Sequence, residues 1–98
     1  MPRKVYRPWK WEINLHTYHR QEANKIVRRS IKLALGEGIK RIEFIPGQGI
    51  HSPNHIPVLK PMVEKILEES GYHWYDDPNN PGKVIVNLTQ LKTSRIYR

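Results

Sequence analysis

Apolar and polar residues alternate over residues 11–16. Trp11, Ile13 and Leu15 fall on one side, and Glu12, Asn14 and His16 on the other. A period of two is that of a strand with one buried face. The period then lengthens. Over about residues 20–35, Ala23, Ile26, Val27, Ile31, Ala34 and Leu35 recur at three- and four-residue steps, which predicts an amphipathic helix. His19 stands at its N-cap, Glu22 has the place of a capping-box acid, and Gly36 and Gly38 mark the exit. A second strand is predicted near residues 40–45. A second helix is predicted over about 57–70, with Leu59, Val63, Ile66 and Leu67 inward. Pro57 suits a first helical position, whereas Pro61 lacks the N–H one turn later. The regular helix therefore begins near Leu59 or has a distorted first turn. Residues 72–76 and 83–88 read as the third and fourth strands, joined by the turn-forming run DPNNPG at 77–82.

This order, β-α-β-α-β-β, predicts an α/β fold. Two helical crossovers imply parallel neighbours, and the last strand returns as an antiparallel hairpin. The expected architecture is a two-layer sandwich, a four-stranded mixed sheet with two helices on one face. It forms one domain over residues 11–90, between an N-terminal arm (1–10) and a C-terminal tail (91–98).

Charge changes the picture. The chain carries a net +8, yet residues 1–10 hold +4 and residues 92–98 hold +3, with no acid in either. Basic ends on a nearly balanced body suggest a grip on a polyanion, with nucleic acid the expected partner. The arm mixes these cations with Tyr6 and Trp9. Both could stack on bases, and Trp9 is expected to fold back onto the domain. Lys25, Arg28, Arg29 and Lys32 make an acid-free stripe on the first helix, either a solvated face or a phosphate track with Arg20 at its start. The chain has no cysteine, so disulfides and thiolate metal sites are excluded. It shows no signal-peptide pattern and no apolar run of membrane-spanning length, so a cytoplasmic location without membrane association is expected.

The second strand runs into a long loop, FIPGQGIHS at residues 44–52. Glycines at 47 and 49 let backbone amides approach an anion, although a tight turn alone also asks for glycine. Ligands gather beyond the C-terminal ends of parallel strands. His16 and the glycine loop are therefore expected on one rim.

Ile13-Asn14-Leu15-His16, then Gln21-Glu22-Ala23 opening a helix, then Ile45-Pro46-Gly47-Gln48-Gly49-Ile50-His51-Ser52, then Val58-Leu59-Lys60-Pro61 opening the next, together resemble the Smr (small MutS-related) domain. The likeness covers about residues 11–88, and the GxGxHS and LKP pieces look most like the eukaryotic-type branch. That branch includes Smr domains of ubiquitin-binding proteins acting at stalled ribosomes. The resemblance implies a fold similar to the C-terminal domain of translation initiation factor three. It also implies endonuclease or nucleic-acid-binding function on RNA or DNA. The family's Asp-x-His motif has Asn14 in place of the aspartate, and Pro46 stands where His or Thr usually precedes Gly-x-Gly. The alternative reading is therefore a catalytically weak nucleic-acid- or ribosome-binding module.

Weighed on their own chemistry, His16 is the candidate general acid/base, Asn14 its orienting partner and His51 its counterpart. Gly47, Gln48, Gly49, Ser52 and Lys60 are candidates to hold the phosphate, and Arg20, Lys25 and Arg28 to hold flanking backbone. RNA is favoured over DNA, because cleavage through the 2′-OH needs only such groups. No resident cofactor is required; Mg2+ or Mn2+ are the ions such a site would admit. The His16/His19 and His51/His55 spacings would suit zinc only on regular helices, which neither pair occupies.

Overall fold

A computed structural model describes residues 4–6 (backbone only), 9–47 and 59–91 of the chain. Seven elements follow in order: β1 (Lys4–Tyr6), β2 (Lys10–Asn14), α1 (Arg20–Glu37), β3 (Arg41–Ile45), α2 (Leu59–Ser70), β4 (Tyr72–Asp76) and β5 (Val84–Leu91). The four expected strands and two helices are all present. The short β1 adds a fifth strand, pairing antiparallel with β2, so the expected arm supplies an edge of the sheet.

Sheet order is β1-β2-β3-β5-β4. β2 and β3 are parallel neighbours, as the first crossover requires. The second crossover departs from expectation. β4 is not next to β3, because β5 inserts between them, antiparallel to both. Burial matches this order. Val84, Ile85 and Val86 are all buried, as a central strand needs, while β4 has half-buried and exposed positions suited to an edge.

One face of the sheet carries Trp11, Ile13, Ile42, Phe44, Val84 and Val86, all essentially inaccessible. They form a single core with Ala23, Val27, Ile31 and Ala34 of α1 and Val63, Ile66 and Leu67 of α2. Leu35 departs from its expected inward place and is exposed, while Ser30 is buried. α1 continues two residues beyond the predicted end. Gly38 stops it in the left-handed conformation (φ 73°), its N–H reaching the Ala34 and Leu35 carbonyls. At the other end Glu22 accepts the His19 backbone N–H at 3.3 Å. α2 begins at Leu59, which places Pro61 in the first turn, where no intrahelical donor is needed.

Candidate functional site

Strands β2 and β3 end side by side, with Asn14 opposite Ile45. The pairing extends one step, since the Leu15 N–H donates to the Ile45 carbonyl at 2.9 Å. The chain then turns tightly, the Tyr18 N–H reaching back to the Leu15 carbonyl at 2.9 Å, before α1 starts. His16 lies exposed on this turn. Asn14 Oδ1 accepts the His16 backbone N–H at 3.1 Å and lies against His16 Nδ1. The imidazole is thus held by Asn14, the last residue of β2. That contact favours the tautomer with hydrogen on Nδ1 and leaves the Nε2 lone pair unengaged by Asn14.

The loop after β3 reaches the same place. Gly47 has φ 85°, and a Cβ there would stand 3.0 Å from the Cβ of His16. Only glycine combines that backbone conformation with so close a passage beside the histidine. His16 and the start of the glycine loop therefore share one rim.

A third wall comes from the turn between β4 and β5. The Gly82 carbonyl accepts the Gly47 N–H at 3.3 Å, and the Pro81 carbonyl accepts Lys60 Nζ at 2.8 Å. Asn80 Oδ1 braces this turn by accepting the Gly82 N–H at 2.9 Å. The DPNNPG run signalled only a connection. It reaches the rim because β5 lies beside β3, a placement without a local sequence signal. The Gly47 amide and the Lys60 ammonium, both phosphate-holding candidates, are thereby engaged with the turn. Lys60 also lies 3.9 Å from Asp76. One turn along α2, burial and a hydrogen bond shared with Asp76 push the Glu64 carboxyl up to about 7.

Gln48, Gly49, His51 and Ser52 lie outside the described residues. Arg20 and Lys25 are exposed along α1. Arg28 is tied down, donating to Asn24 at 2.9 Å and pairing with Glu69 of α2 at 3.6 Å. The stripe on α1 thus meets an acid that its own helix does not provide. Among the described residues no three His, Cys, Asp or Glu side chains cluster as metal ligands. The side-chain oxygen that lies against His16 among the described residues belongs to a neutral amide, whereas Mg2+ is held through carboxylates. The carboxylates nearest the described rim, Glu64 and Asp76, stand together beside Lys60 and not against His16. Nor is any described helix long and apolar enough to cross a membrane.

Comparison with known proteins gives a consistent result. A family model described as the Smr domain matches residues 13–88. Endonuclease NBR9 of Saccharomyces cerevisiae is 32% identical over 77 residues, covering 79% of this chain and 32% of the relative. The Smr domain-containing protein C11H11.03c of Schizosaccharomyces pombe is also 32% identical over 77 residues, 79% of this chain and 37% of its own length. The chain thus spans about a third of the length of these relatives. Among solved structures, the Smr domain of Thermus thermophilus MutS2 has a similar fold. Its TM-score is 0.65 at 18% identity, over 78% of this chain and 94% of that one. The SMR domain of NEDD4-binding protein 2 superposes with a TM-score of 0.62 at 27% identity, over 79% and 83%.

Proposed function

The chain belongs to the Smr domain family, and on that premise we propose that it binds RNA across the rim and cleaves it there, with His16 moving the proton. The observation that carries this reading is the His16 imidazole, seated on Asn14 and flanked by the bare backbone of Gly47. Nε2 of His16 takes the proton of a ribose 2′-OH. The 2′-oxygen forms a bond to the adjacent phosphorus, and the bond from phosphorus to the 5′-oxygen breaks. The leaving oxygen takes a proton from solvent, giving a cyclic phosphate and a 5′-hydroxyl. RNA is preferred to DNA because the ribose 2′-OH is itself the nucleophile, so a positioned base is enough for this cleavage. The name of the yeast relative, an endonuclease, supports the reaction class. The +4 and +3 terminal segments extend the grip along the polyanion, and cytoplasmic RNA, that of the ribosome included, is the partner class they fit.

The test uses end-labelled structured RNA and the same sequence with deoxyribose throughout. Wild type should cut only the former, and His16→Ala should remove that activity. Cleavage that persists in His16→Ala rejects the proposed role. One observation favours a second reading, that of a binding module with little turnover: Asn14 orients the imidazole but brings no charge to stabilise imidazolium. Asn14→Asp separates the two. It should raise turnover about 100-fold if the site is a nuclease lacking one carboxylate. It should only weaken binding if the rim is a passive contact.

A further inference from the structure

The side of the sheet away from the helices carries a second set of chemistry. Registry places Lys10, Arg41, Asn87 and His73 in one cross-strand row and Glu12, Glu43, Ile85 and Tyr75 in the next. No described helix packs on these rows. Two aromatic groups flank them. At one end Trp9 remains 45% exposed, with Lys10 Nζ 5.6 Å and Arg41 Cζ 5.9 Å from its ring centroid. At the edge strand Tyr75 is 37% exposed, its ring 5.7 Å from that of His73. Between them Glu43 is buried and draws Lys10 (3.2 Å), Arg41 (2.6 Å) and Lys83 (3.1 Å) into a fixed group. Lys83 also pairs with the partly exposed Glu12 at 3.4 Å, so three cations share two carboxylates and the group keeps one positive charge in excess.

Both side chains are partly covered and partly open, Trp9 beside Lys10 and Arg41 and Tyr75 beside His73. From β2 to β4 the row crosses three strand spacings, roughly 14 Å at about 4.8 Å each. A four-stranded sheet with exposed aromatic rings at such separations can stack two or three unpaired bases. Base stacking is sequence-tolerant, and the cations complement the phosphates between. The sequence flanking this face is also basic, with Arg7 preceding Trp9 and Lys92 following Leu91.

We infer that the helix-free face is a single-stranded nucleic-acid platform, with Trp9 at one end and Tyr75 with His73 at the other as base-stacking stations, separate from the His16 rim. This deepens the proposed function, on which it rests, by assigning the unpaired strand flanking the cut site to this face. Fluorescence anisotropy of the full chain with a labelled short oligouridylate tests it. Trp9→Ala and Tyr75→Ala should each weaken binding by about 5- to 100-fold. Tyr75→Phe should restore near-wild-type affinity. The dependence of affinity on salt should keep its slope, since no charge is removed. A perfectly paired RNA duplex should show no change between wild type and variants. Circular dichroism melting of each variant should match wild type, because both side chains are exposed. Wild-type affinity in both alanine variants overturns the platform while leaving the rim reading intact. A wild-type chain that binds no RNA, single-stranded or paired, overturns both.

Discussion

The two faces of the sheet are made from alternate residues of the same strands, yet they bury their central positions by different physics. On the helix side, Phe44 of β3 is enclosed by hydrocarbon and has no polar group to satisfy. One residue earlier, Glu43 points the other way and is 2% exposed, enclosed by the stems of the cations it attracts. Burial pushes the Glu43 carboxyl up. Hydrogen bonds from Lys83 and Lys10 and the charges of Lys83 and Arg41 outweigh that, and its pKa falls below the ordinary value. The lesson is that a helix-free face need not be loosely built. A hydrocarbon face supplies stability without choosing partners, whereas a charge-organised face fixes its cations in place.

Substitutions can break the comparison, beginning with the largest effect. Phe44→Ala should cost about 3–5 kcal/mol in urea unfolding, because it removes a ring from a core that cannot collapse fully. Glu43→Gln should cost less, about 1–3 kcal/mol, because the three cations are partly solvated and tolerate the loss better than an enclosed pair would. The cost should also vanish in acid. A depressed carboxyl contributes stability above its unfolded pKa and loses it as pH falls through the folded one. Melting curves of wild type and Glu43→Gln should therefore converge at low pH and separate above about pH 5. A constant difference across that range would mean that Glu43 acts through packing alone.

Glu64 sharpens the contrast with the opposite sign. Its carboxyl is raised from the ordinary 4.5 to about 7, by burial first and then by Asp76. A raised carboxyl favours the protonated native state, so its contribution is lost as pH rises through the folded value. Glu64→Gln should melt like wild type near pH 4 and a few degrees higher above about pH 8. If the two proteins melt alike at both, the Glu64–Asp76 contact is relaxed in solution. The smallest effect is expected at Arg28→Ala. Its ion pair with Glu69 joins two exposed side chains, and such a surface pair contributes under about 1 kcal/mol.

Much of the fold was legible because periodicity is local. Alternation at 11–16, the three-four spacing from Ala23 to Ala34 and the DPNNPG turn each reflect which side of an element meets water. The candidate rim was legible in part for a similar reason. Gly47 carries a backbone demand that residue type reveals, and Asn14 and His16 are two residues apart, so their contact needs no tertiary information. The approach of the 77–82 turn to Gly47 and Lys60 was not legible, since it depends on which strand lies beside β3.

Sequence alone therefore determined the elements, their inward sides and the concentration of positive charge at the two ends. Each is set by neighbours within a few positions or by composition. Tertiary structure alone decided that β5 lies between β3 and β4, that Arg28 answers to Glu69, and that Glu43 is buried among cations drawn from β2, β3 and the residue before β5. The physical reason is that strand order is chosen by competition for burial across the whole chain. A carboxylate's surroundings are then fixed by that outcome, not by the residues next to it.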